Sequence, residues 1–224
     1  MHVGIVAGTG PAGRGLAVRL AAAGAQVTIG SRSAERAERS AADLRMELSA
    51  RGAGSMGQLI GGENASCAVA DVVVVATPWE ATRATLADLA EPLKGKVVVS
   101  MANALAKMGR EMVAVMPPRG SMAETVQAAL PGSFVSGAFH HLPAGHLIEI
   151  ERTLDSDVLV TSDHEQAIQV TCELVAMIPR LRPLIVGSLS HAAAVEAFTA
   201  VLVGVNKHYS CSASVRLSGV GDGT

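Results

Sequence analysis

Gly8, Gly10 and Gly13 form a Gly-x-Gly-x-x-Gly spacing between the apolar run Val3–Ala7 and a helix-forming stretch from Gly15 to Ala23. That arrangement suits the pyrophosphate of a dinucleotide. Gly8 permits the tight bend from strand to helix, Gly10 brings no side chain to keep a phosphate off the backbone, and Gly13 lets the helix pack close to its strand. Free N–H groups at the start of the helix then face the anion.

A second apolar run, Gln26–Ile29, ends in Gly30–Ser31–Arg32–Ser33, where a site for the unphosphorylated dinucleotide carries an Asp or Glu for the ribose 2′-hydroxyl. Ser31 and Ser33 can donate hydrogen bonds, and Arg32 offers a planar charged fork where a carboxylate would repel a 2′-phosphate. Arg36 follows four residues later on the first turn of the next helix, so both guanidinium groups can converge on one phosphate. These residues point to NADP(H). Arg39, interleaved with Glu35 and Glu38, reads as part of a solvated helix face.

Apolar runs alternating with helical patterns must position these groups, which argues for a parallel sheet covered on both faces. Val72–Ala76 leads into Thr77–Pro78–Trp79, Glu80–Leu89 reads as a helix, and Lys96–Ser100 leads into Met101–Ala102–Asn103–Ala104. In such sheets ligands lie beyond the carboxyl ends of the strands, where Thr9, Ser31, Thr77, Trp79, Ser100 and Asn103 all fall. Ser121–Met122–Ala123–Glu124 has the form of a capping box opening a helix that stops at Pro131–Gly132. The run Phe134–Phe139 ends in His140–His141, one of which is expected to meet a ligand while the other satisfies main-chain groups. A zinc site from His140, His141 and His146 is disfavoured, because adjacent strand residues point to opposite faces and no further ligand has suitable spacing. Beyond them, Asp157–Thr161 and Leu184–Val186 read as strands, and Ser190–Lys207 reads as an Ala-rich helix suited to packing on a partner helix or subunit.

The expected fold is α/β, a Rossmann-type doubly wound parallel sheet over residues 1–144. A small C-terminal α/β domain over 145–224 is expected to complete the second-substrate pocket. Only five residues are aromatic and the formal charge is −2, so a base-stacking platform or a basic field for nucleic acid is not expected. Cys67, Cys172 and Cys211 lack metal-type spacing and are too few for a disulfide framework, in keeping with a cytoplasmic enzyme. The apolar stretch 192–205 is interrupted by Glu196 and reads as too short to span a bilayer.

Taken together, the chain resembles the NADPH-dependent reductases of the deazaflavin coenzyme F420. The likeness rests on Gly8–Ala17, Gly30–Ser31–Arg32, Thr77–Glu80, Val98–Ala104 and Ala138–Ala144, and continues through Arg182–Leu184 and Val195–Glu196. It implies that NADP(H) is held by Thr9, Gly10, Pro11 and Ala12 at the pyrophosphate and by Ser31, Arg32 and Arg36 at the 2′-phosphate. Along the nicotinamide it implies Thr77, Trp79, Asn103 and Ala144. It also implies that coenzyme F420 stacks beside His140 and Leu142, that hydride passes directly between two rings with no catalytic side chain or metal, and that the protein is a homodimer. Two other readings share the same motifs: an NADPH-dependent reductase of an imine or carbonyl compound, and a non-catalytic NADPH sensor.

Overall fold

The computed structural model describes residues 1–50 and 57–221. Runs of β-branched residues become strands buried on both faces, and successive residues alternate between two apolar layers. Val3, Ile5, Val72 and Val74 face one layer, while Val6, Val73 and Val75 face the other. Parallel pairing joins β1 (His2–Val6) to β2 (Gln26–Ser31) and β4 (Val72–Val75), β2 to β3 (Leu59–Glu63), and β4 to β5 (Val97–Ser100). β8 (Phe134–Gly137) pairs parallel with β5. The spatial order β3-β2-β1-β4-β5-β8 reverses direction at β1 and β4, which leaves a crevice at their carboxyl ends.

Helices α1 (Pro11–Ala22), α2 (Ala34–Ala50) and α6 (Glu165–Ala176) cover the first layer; α3 (Thr82–Leu86) and α4 (Met122–Ala129) cover the second. The capping box forms as expected, with Ser121 Oγ accepting the Glu124 N–H at 3.0 Å. The stretch 80–89 is only partly α-helical: α3 is flanked by 3-10 turns at Trp79–Ala81 and Ala87–Leu89.

Residues beyond 144 extend the same sheet. β9 (Ser156–Ser162) pairs with β8 in the antiparallel sense, and β10 (Leu181–Gly187) lies parallel to β9 at the edge. The antiparallel step departs from an all-parallel reading. The link from β8 to β9, residues 138–155, carries only the four-residue helix α5 (Ala144–Leu147) and brings β9 back along β8 in the opposite direction. A separate hairpin, β6 (Leu105–Met108) with β7 (Glu111–Ala114), turns at Gly109 and rests on α7 (Ala192–Tyr209).

The final helix is longer than the apolar run in the sequence. With its leading turn it spans Leu189–Tyr209, long and apolar enough to cross a bilayer by length and composition alone. Its interruption, Glu196, is 4% exposed and accepts the N–H groups of Met122 at 2.8 Å and Ala123 at 3.0 Å. The carboxylate therefore receives the donors left over at the start of α4.

Candidate functional site

The turn from β1 to α1 closes when Gly8 donates its N–H to Gly30 O at 2.9 Å and Ile5 O at 3.1 Å. A Cβ on Gly8 would meet Ile5 O at 2.8 Å, and one on Gly13 would meet Gly8 Cα at 2.7 Å, so these two glycines serve the turn itself. Gly10 differs. Among the described residues beyond its chain neighbours, a Cβ there would meet no atom nearer than Ala7 O at 4.0 Å, and its φ of −77° suits any residue. The chain's own packing does not call for glycine at this position, and the open space beside it fits an outside group. Pro11 starts α1 and no side chain caps the helix, which leaves first-turn N–H groups for an anion.

Around this turn lies a cleft of about 840 Å³ at the carboxyl ends of β1 to β4. Thr9, Gly10, Pro11, Ala12, Ser31, Arg32 and Arg36 all stand on its wall, as Gly8 and Gly13 do not. Ser33 Oγ accepts the Arg36 N–H at 3.2 Å, capping the start of α2. Arg39 is drawn into an exposed pair with Glu35 at 2.6 Å, as its spacing suggests. Arg32 and Arg36 form no ion pair among the described residues, so two guanidinium groups stand beside the cleft with no carboxylate bound to either.

A second, smaller hollow of about 250 Å³ is lined by Asn103, His140, His141, Leu142 and Ala144, with Thr199, Leu202, Val203 and Asn206 from α7. Ala12 lines both spaces, so the uncapped end of α1 adjoins each. Thr77 and Trp79 are on neither wall. Thr77 Oγ1 is buried against Thr82 Oγ1 at 2.7 Å, and the Trp79 indole N–H is given to Leu105 O at 3.2 Å, tying the strand-end loop to the β6–β7 hairpin.

Polar atoms without partners gather at this second hollow. Among the described residues, Asn103 Oδ1, His141 Nδ1 and both ring nitrogens of His140 are buried on its lining without a hydrogen bond of good geometry, the His140 ring lying against the main chain of Met101 and Ala102. His141 Nε2 meets Asp157 O at 2.6 Å; since a carbonyl only accepts, that nitrogen carries the proton. His141 serves the main chain through Nε2, while the His140 ring lies against the main chain of Met101 and Ala102. Burial, with His141 beside it, holds the His140 pKa down at about 3; burial likewise lowers that of His141. Both rings are neutral at pH 7, so the hollow offers a flat, uncharged surface rather than an acid or a base.

Sequence reasoning missed Glu63, Asn64 and Ala65, and the α3 side of the cleft at Ala81, Thr85 and Asp88. Asn64 Oδ1 accepts the N–H of Ala7, which sits at φ 55°, a value unusual without glycine. The strand leading to them contains Gly61 and Gly62 and carries no apolar run. A Cβ on Gly61 would meet Glu38 N at 2.2 Å, so close passage of α2 dictates the glycine and erases the strand signal. The α7 residues carried no signal beyond an Ala-rich helix.

Residues 2–104 match the family model described as NADP oxidoreductase, coenzyme F420-dependent. The chain is 37% identical over 222 residues to the F420-dependent NADP reductase of Methanocaldococcus jannaschii, covering 97% of this chain and 98% of the relative. It is 35% identical to the enzyme of the same name from Methanothermobacter thermautotrophicus, covering 92% and 89%. Among solved structures, a candidate F420-dependent NADP reductase from Arthrobacter sp. FB24 superposes with a TM-score of 0.79 at 23% identity, covering 97% and 98%. An imine reductase from Streptomyces aurantiacus superposes with a TM-score of 0.55 at 18% identity, covering 93% of this chain and 62% of that one. At such identities the two structures speak for the fold alone.

Proposed function

The chain belongs to the coenzyme F420-dependent NADP oxidoreductase family, and from that premise we propose that it catalyses direct hydride transfer between NADP(H) and the deazaflavin coenzyme F420. When bound, the two cofactors would supply the hydride donor and its acceptor; the residues of this chain bind, orient and exclude water. Thr9, Gly10, Pro11 and Ala12, with the uncapped N–H groups of α1, bind the pyrophosphate, and Gly8 and Gly13 shape the turn that presents them. Ser31, Arg32 and Arg36 bind the 2′-phosphate. Asn103 and Ala144 flank the nicotinamide end, and Thr77 and Trp79 support its wall from behind. His140 and Leu142 face the second ring.

One observation carries this reading: two guanidinium groups without ion pairs stand beside the cleft, and Ala12 joins that cleft to a neutral, partner-poor hollow. Such a hollow suits ring positioning, in which two planar groups are held face to face at roughly 3–3.5 Å with no acid, nucleophile or metal from the protein. Residues 1–144 serve the dinucleotide, and 145–224 complete the second pocket through α7. The apolar residues Phe198, Val201 and Tyr209 on α7, with Ile185 and Val186 on β10, are exposed and suit a homodimer contact. The partners are small redox cofactors, and the cytoplasm is the compartment we assign.

The test is spectroscopic. Purified protein mixed with NADPH and oxidised F420 should bleach the deazaflavin band as NADPH is consumed one for one. Tight NADPH binding with no bleaching, or turnover only with an imine or ketone, would overturn the assignment.

A further inference from the structure

Arg19 lies on α1, outside both hollows, and is 7% exposed. Its guanidinium donates to four main-chain carbonyls of one short segment. Nε reaches Leu147 O at 2.9 Å, Nη1 reaches Ile150 O at 3.3 Å, and Nη2 reaches His146 O at 2.9 Å and Glu149 O at 2.5 Å. One turn earlier on the same helix, a Cβ on Gly15 would meet Leu147 Cβ at 2.4 Å, so α1 and this segment are in direct contact. Docking two apolar surfaces does not require a buried cation, whose desolvation is costly. What a guanidinium adds is direction: its rigid fork fixes the orientation of the carbonyls it binds, which an apolar side chain or a lysine cannot do.

The segment held in this way continues directly from Leu142, Pro143 and Ala144, which form one wall of the second hollow, while Ala12 of α1 forms another. We propose that Arg19 is a positioning residue for hydride transfer, setting the gap between Ala12 and the His140–Ala144 wall by gripping residues 146–150. The inference rests on the reading above in one respect: the nicotinamide ring lies against that wall. Arg19 touches no reacting atom, so it acts through the main chain of the loop. Phosphate binding at the other end of the cleft should not depend on it.

The experiment compares wild type, Arg19→Lys and Gly15→Ala. Arg19→Lys keeps the charge and loses the fork; Gly15→Ala pushes the same segment away and keeps Arg19. For each folded variant, calorimetry measures Kd for NADPH and for 2′,5′-ADP, which carries the 2′-phosphate end without the nicotinamide. Stopped-flow absorbance then gives kcat and KM with F420, with a deuterium isotope effect from labelled NADPH. The expected result is unchanged 2′,5′-ADP binding, a loss of about tenfold in the affinity advantage of NADPH, and a fall of about ten- to a hundredfold in kcat with a larger isotope effect. A lower melting temperature with the Kd ratio and kcat at wild-type values would mean a purely structural role and would overturn the proposal. Should the wild type fail to reduce F420, the assignment of the second ring fails, while the Kd ratio still decides the role of Arg19.

Discussion

Asn103 Nδ2 donates to the main-chain oxygen of His140 at 2.6 Å, joining the loop after β5 to the loop after β8. Thr199 Oγ1 of α7 donates to the same oxygen at 3.1 Å. Just before it, Phe139 is 1% exposed and sits at φ 65°, a costly value for a bulky side chain that persists only where neighbours hold it. Asn103→Asp replaces the donor with a carboxylate facing a carbonyl. Loss of about 2 kcal/mol in stability is expected, together with weaker NADPH binding. Thermal melts and fluorescence titration check both, and an unchanged melting temperature would contradict the role given to this contact.

Arg32→Gln should raise Kd for NADPH by about 10- to 100-fold, because a charge-assisted hydrogen bond to phosphate contributes roughly 1.5–3 kcal/mol. Kd for NADH, which lacks that phosphate, should stay nearly constant. Calorimetry with both cofactors at two salt concentrations tests this, since added salt should weaken NADPH and spare NADH.

The two glycines Gly10 and Gly13 should separate binding from folding. Gly10→Ala enters open space, so the melting temperature should hold while NADPH affinity falls more than about tenfold, because the methyl group occupies the anion's place. Gly13→Ala drives its Cβ into Gly8 and should lower stability by about 1–3 kcal/mol. Equal behaviour of the two variants would refute the distinction.

Burial, aided by the nearby Glu124 charge, pushes the Glu196 carboxyl up to about 7 from 4.5, against the N–H groups of Met122 and Ala123 that favour its charged form. The folded state therefore holds a proton that the unfolded state has lost across the window between those values. Stability tied to it is fully present below pH 4.5 and is lost as pH rises through about 7, by at most about 3 kcal/mol. Glu196→Gln should flatten the fall in melting temperature between pH 5 and 8 relative to wild type.

Asp157 has a fully buried side chain that accepts from Arg182 at 2.8 and 2.9 Å and from the Leu217 N–H at 2.6 Å. Burial works to raise its pKa, but these hydrogen bonds and the charges of Arg182 and Arg216 outweigh it and hold the carboxyl below its ordinary range. Its contribution is present above its unfolded pKa and is lost as pH falls through the folded one. Arg182→Met leaves a buried carboxylate short of its main partner and also frees the tail carbonyls of Leu217 and Val220. A loss of about 3–5 kcal/mol is expected, measured by denaturant unfolding at pH 7 and shrinking toward pH 3.

The dinucleotide end of the cleft was legible because its determinants are local. A turn needs Gly8 and Gly13 whatever surrounds it, and Ser31, Arg32 and Arg36 follow one strand within a few residues. The strand at Leu184–Val186 was legible, but its edge position as β10, the β6–β7 hairpin and the antiparallel entry of β9 were not. Each depends on how long the connecting segment is and on what it packs against, and neither leaves a periodic trace.

The sequence by itself determined the Rossmann-type core and the preference for a 2′-phosphate, since glycine spacing, strand-end residues and charge act over short chain distances. Only the tertiary structure decided that Thr77 and Trp79 line neither space, that α7 closes the second hollow with Thr199 and Asn206, and that Arg19 holds the loop beyond Ala144. The contacts of Trp79, Thr199 and Arg19 join residues 26 to 131 positions apart, through hydrogen bonds that no local pattern encodes.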